Sequence, residues 1–80
     1  MILRIISFLR GTEEKRRELL QDTFFEGSKI EHHQEKDIDD RIHFLFNIDN
    51  EPMVNLDPIQ YGYDVYLMNN DGKTVEKWVW

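Results

Sequence analysis

Eighty residues carry ten Lys/Arg, sixteen Asp/Glu and no cysteine, for a formal charge of −6. Such a length supports a single domain, residues 1–80, with a thin core; a two-lobed enzyme, a disulfide scaffold and a Cys-based zinc finger are excluded. The negative overall field also argues against a protein that grips nucleic-acid phosphates directly.

Apolar residues make up 40% and aromatics 12%, which suits a folded globule rather than an acidic disordered tail. No apolar run approaches the roughly 20 residues of a membrane helix. Arg4 interrupts the N-terminal MILRIISFLR and no small-residue cleavage site follows, so a secretory signal is not expected. A cysteine-free chain suits the reducing cytoplasm, that of a host cell were the protein viral. Charge is uneven: Met1 to Arg17 carries +3, Glu18 to Asp71 carries −10 and the last nine residues carry +1. The acid excess belongs to the middle of the chain.

Ile2, Leu3, Ile5, Ile6, Phe8 and Leu9 form an apolar, β-branched run that predicts a central strand buried on both faces. After Gly11, Thr12 is a candidate N-cap, with Glu13 and Glu14 in the first helical turn. Leu19, Leu20, Thr23 and Phe24 then share one helical face, Glu13 and Arg17 make a favourable i,i+4 pair, and Gly27 closes the helix. Ser28 to Lys36 is polar and reads as an edge strand guarded by charge. Asp37 to Asp40 is a turn. Ile42, Phe44, Phe46 and Ile48 alternate with Arg41, His43, Leu45 and Asn47, the clearest period-2 pattern in the chain. Asp49 to Pro52 stops that strand, Met53 to Pro58 reads as a loop, and Tyr61, Tyr63, Val65 and Leu67 resume the alternation.

Asn69-Asn70-Asp71-Gly72 is a hairpin signal. With Gly72 in the left-handed region, a three-residue loop pairs Leu67 with Val75 and puts Trp78 and Trp80 on the face of Asp64, Tyr66 and Met68. A two-residue loop instead puts Trp78 opposite Val65. The predicted fold class is therefore α+β: one helix on an antiparallel sheet of four or five strands, with a C-terminal β-hairpin. Its core would be the Ile42/Phe44/Phe46/Ile48, Tyr63/Val65/Leu67 and Val75/Val79 faces set against Leu19, Leu20 and Phe24.

Catalytic chemistry has little to stand on. The two serines, Ser7 and Ser28, lie in no nucleophile elbow, and the four glycines are too scattered for a phosphate loop. His43 has the chemistry of a general base but the place of a solvent-facing strand residue. His32 and His33 are metal-capable, yet neighbours on a strand point to opposite faces. Asp37 to Asp40 lacks the glycine and glutamate of a calcium loop. The cluster Lys15-Arg16-Arg17, with Arg4 and Arg10, reads as solubility and local ion pairing. The expectation is no enzyme, no metal centre and no cofactor.

What remains is contact chemistry. Tyr66, Met68, Trp78 and Trp80 either complete the core or form a contact patch, being residue types enriched at interface centres, and Glu31, Glu35, Asp37, Asp39 and Asp40 supply an acidic surface. Small size, acidity and lack of catalytic residues are similar to those of phage-encoded anti-defence inhibitors and toxin immunity proteins, a class profile that rests on no shared motif. The profile implies a non-catalytic inhibitor or regulator that meets a larger basic or nucleic-acid-binding protein, touching neither nucleic acid nor membrane itself. The alternatives are a homo-oligomeric accessory protein with Trp78 and Trp80 at a self-interface, and a small metal-binding protein using His32 and His33.

Overall fold

The computed structural model describes residues 1–9, 18–58 and 61–80, of which residues 18–20 are described in backbone only. These residues form seven strands: β1 (Ile2–Leu9), β2 (Glu18–Glu26), β3 (Ile30–Lys36), β4 (Ile42–Ile48), β5 (Glu51–Leu56), β6 (Tyr61–Met68) and β7 (Thr74–Val79). All pairings are antiparallel, in one sheet of order β2-β1-β6-β7 and a second of order β3-β4-β5. The molecule is 17 Å across its thin dimension, as expected for two sheets packed roughly 10 Å apart with side chains outside. No helix occurs among the described residues, so none there is long and apolar enough to cross a membrane.

The α+β expectation is overturned at Glu18–Glu26, which is strand rather than helix. Leu19, Leu20, Thr23 and Phe24 fit a helical face, but Asp22, Phe24 and Glu26 also alternate with Thr23 and Phe25. Strand pairing decides between the two patterns. β2 runs along β1 from Ile2↔Glu26 to Leu9↔Glu18, covering an edge of β1 that would otherwise leave backbone groups unpaired. Arg4 fixes this register by gripping Asp22 with two hydrogen bonds, of 3.0 and 2.6 Å. Phe24 then faces outward at 58% exposure instead of entering the core. The proposed Thr12 cap, the first turn with Glu13 and Glu14, and the Lys15-Arg16-Arg17 cluster lie outside the described residues, as do the side chains of Leu19 and Leu20. Gly27 is not a helix cap. It links β2 to β3 where a Cβ would strike the Ile48 side chain.

β1 is central, as its apolar run predicts, although its outer residues Ile2, Ile6 and Phe8 are half-buried. The segment read as a loop after Pro52 is instead β5. Asp49 and Asn50, at φ 51° and 67°, make a tight turn of the primed hairpin kind, which returns the chain along β4. Pro52 is tolerated because β5 is an edge strand and its register shifts there. Asp49 also accepts the backbone N–H of Ser28 and of Lys29, each at 2.9 Å, which ties this turn to the link between sheets.

The core lies between the sheets: Leu3, Ile5, Tyr63, Val65 and Leu67 from the first face Phe46 and Leu56 from the second. Leu3, Val65 and Phe46 are almost wholly buried. Val75 and Val79, predicted to join this core, are exposed.

Candidate partner-binding surface

The ten consecutive residues 31–40 are all exposed. They comprise most of edge strand β3 and the turn that follows. On β3, Glu31, His33 and Glu35 alternate onto the outer face, opposite Asn47, Leu45 and His43. Their ion pairs are local and loose: Lys29 with Glu31 at 3.2 Å, His33 with Glu35 at 3.2 Å and Lys36 with Asp40 at 3.7 Å. Such pairs are weak and leave the acids able to meet a partner.

The turn is built by Asp37. Its backbone N–H donates to the Arg41 carbonyl, and its Oδ1 accepts the N–H of Asp39 and of Arg41 at 2.9 and 3.1 Å. Asp40 closes the turn at φ 63°. The other carboxylate oxygen, Oδ2, lies 2.8 Å from His43 Nε2, while His43 Nδ1 lies 2.9 Å from Asn55 Oδ1. The Asp37 carboxylate, with help from Asn55, raises the His43 pKa, and the His43 bond and the backbone N–H of Arg41 and Asp39 lower that of Asp37. Both ring nitrogens are thus committed to partners. Ser7 and Ser28 lie elsewhere, on β1 and in the β2–β3 link, so neither hydroxyl is joined to His43.

The aromatic residues divide between two faces. Tyr66 and Met68 are half-buried on the outer face of the first sheet, with Lys77 over the Tyr66 ring at 5.2 Å. Trp78 and Trp80 are half-buried on the inner side, where Trp78 pairs with Val65. The hairpin loop has the anticipated three-residue form: Asn69 N–H donates to Lys73, Gly72 N–H donates to Asn69, and Gly72 sits at φ 80°. The register beyond it is shifted by one residue, so Trp78 lies opposite Val65, the pairing expected of the two-residue loop. Met68 pairs with Thr74 but Leu67 pairs with Glu76, so Val75 is bulged out and every later side chain changes face.

That bulge creates an aromatic seam along one side of the sandwich. Trp80 stacks on Phe44 with centroids 3.8 Å apart, and Trp78 meets Phe46 and His32 edge-on at 5.5 and 4.7 Å. His32 is therefore occupied on the inner side while His33 faces outward, and the two imidazoles cannot share one ion. Among the described residues no three metal-capable side chains converge.

Of the anticipated contact residues, the fold brings Trp80 together with Asp39 and Asp40. They line one cleft of about 610 Å³, shared with Arg41, Ile42, Phe44 and Pro58. Ile42, predicted for the core, is exposed here. Glu31 and Glu35 lie farther along β3, and Tyr66 and Met68 are on the other sheet. The roles of Phe44 and Pro58 in this cleft, and of Asn55 behind His43, escape sequence reasoning, because each depends on which strands lie side by side. A second groove, of about 410 Å³, opens between Thr23 and Phe25 of β2, Val54 and Leu56 of β5, and Tyr61 and Tyr63 of β6. Comparison with protein-family models, curated proteins and solved structures finds no match to this chain.

Proposed function

We propose that this β-sandwich is a non-catalytic protein-binding module that inhibits or regulates a larger basic protein through its β3 edge and the turn after it. The observation that carries the reading is the acidic stretch 31–40: five carboxylates on ten exposed residues of one sheet edge and its turn, of which Asp39 and Asp40 line a cleft with the half-buried Trp80. Acids on a rigid edge can compete with nucleic-acid phosphates for a basic groove, and the attraction steers encounter. The commitment of both His43 nitrogens to Asp37 and Asn55 supports a structural histidine over a general base. The compartment this reading implies is the cytoplasm, of a host cell if the chain is viral.

Charge reversal tests it. The variant Glu31→Lys/Glu35→Lys changes only exposed side chains and should unfold at nearly the wild-type temperature. Cross-linked capture at about 50 mM and 500 mM salt, followed by identification of the captured protein, should yield one basic partner for wild type at low salt only. The variant should lose it. Equal capture by both proteins, or none by wild type at low salt, refutes the reading. Self-association is the second reading, favoured by Phe24 and Val79 at 58% and 60% exposure on the outer face of the first sheet. A concentration-dependent mass by light scattering, abolished by Phe24→Lys, would establish it in place of the first.

A further inference from the structure

We propose that the cleft beside Trp80 receives an arginine side chain of the basic partner, with the guanidinium against the Trp80–Phe44 rings and its charge on Asp39 and Asp40. This rests on the binding reading above and names the chemistry of one contact within it. The cleft is lined by apolar Ile42, Phe44, Pro58 and Trp80 together with Asp39, Asp40 and Arg41. A strongly hydrated ammonium gains little from the apolar part of this lining. A guanidinium is planar, weakly hydrated and stacks on aromatic faces while its edge binds carboxylate, so it matches both parts.

The acidic part of the lining is complementary to such a group. Among the described residues the Asp39 carboxylate has no ion pair or side-chain hydrogen bond, and Asp40 has only the exposed Lys36 at 3.7 Å. Arg41 also borders the cleft, but its guanidinium is drawn to Asp57 at 3.7 Å. The aromatic part of the lining is held in place, because Phe44 and Trp80 stack at an interplanar angle of 14°, and a guanidinium would meet a ring face or edge that this stack leaves uncovered. The same fold shows the chemistry working internally: Arg4 lies over the Phe24 ring at 5.3 Å while two of its nitrogens bind Asp22.

The probe is acetyl-tetra-arginine-amide, followed by the two tryptophan indole N–H signals in NMR. The Trp80 signal should shift saturably and by more than that of Trp78, whose ring lies 6.1 Å from it, while the methyl signals of the buried Leu3 and Val65 stay in place and report an intact fold. Tetra-lysine should bind several-fold more weakly, and tetra-citrulline, which keeps the shape without the charge, should not bind. Asp39→Asn/Asp40→Asn should weaken the arginine peptide about tenfold; asparagine also accepts the left-handed backbone at position 40. An unmoved Trp80 signal, citrulline binding as well as arginine, or an unaffected double variant each overturns the proposal. If the peptide fails while Glu31→Lys/Glu35→Lys still loses its captured partner, the cleft assignment alone falls. If neither effect is seen, the binding reading falls with it.

Discussion

Asp37 and Asn69 occupy the same place in two turns of the same design. Each donates its N–H to the carbonyl four residues on, and each side-chain oxygen accepts the N–H groups at +2 and +4. An amide therefore suffices for the turn, and the negative charge at position 37 serves something else. That something is His43, 2.8 Å away. Asp37 raises the His43 pKa above its ordinary 6.5, so the pairing with imidazolium contributes fully below that value and fades as pH rises through the raised one. The Asp37 pKa is lowered from 3.8, so its contribution is present above that value and fades as pH falls through the lowered one. The turn is therefore firmest between about pH 4 and 6.5. Loosening on the alkaline side should appear as a decline in melting temperature as His43 deprotonates. Asp37→Asn should keep the turn, bring the His43 ring titration seen by NMR back toward the ordinary histidine value and flatten that alkaline decline. A wild-type His43 that titrates at or below the ordinary value would contradict this account.

The fourth residue of these turns, the last of each three-residue loop, gives a second comparison, at the level of the hairpin. Gly72 holds φ 80° and Asp40 holds φ 63°. Only glycine takes that region without cost, and aspartate is one of the less disfavoured exceptions. Nothing stands within 4 Å of a Cβ built on Gly72, so Gly72→Ala should cost about 1 kcal/mol from backbone strain alone. Asp40→Gly should gain about 0.5–1 kcal/mol, less whatever the exposed Lys36 pair is worth, and raise the melting temperature by several degrees. Denaturant midpoints of the two variants should move in opposite directions; a shift of both the same way would rule out a common turn geometry. Turns of this kind are legible in a sequence because Asp, Asn and Gly mark them. The alternation Ile42-x-Phe44-x-Phe46-x-Ile48 is legible for a similar reason, since period 2 admits one local structure. Residues 18–26 are not, because Leu19, Leu20, Thr23 and Phe24 satisfy a helical face while Thr23 and Phe25 satisfy a strand, and only pairing with β1 separates them. The Val75 bulge carries no residue signal at all. The sequence therefore offers two tryptophan placements, one of them with Trp78 opposite Val65, and no residue to choose between them, whereas the acids that border the cleft are visible as a run.

Stability of the whole molecule rests on one apolar layer between two sheets. A chain of 80 residues has about 4–12 kcal/mol to lose. Phe46 is 1% exposed and touches both tryptophans across the layer, whereas Phe24 is 58% exposed on the outer face, with the Arg4 guanidinium over its ring. A helix packed on a single sheet would bury both rings and make their truncations comparable. A sandwich makes them unequal. Phe46→Ala should cost about 3–5 kcal/mol, enough to leave much of the protein unfolded at 37 °C if the total is near its lower bound. Phe24→Ala should cost about 1 kcal/mol or less, because it removes a cation–π contact and little buried area. Urea midpoints measure both, and the tryptophan emission of Phe46→Ala should move to the red as Trp78 and Trp80 lose the ring they share. Equal losses would mean that residues 18–26 pack inward. A small loss at Phe46 would mean that the seam, and the cleft at its end, is not held by the core.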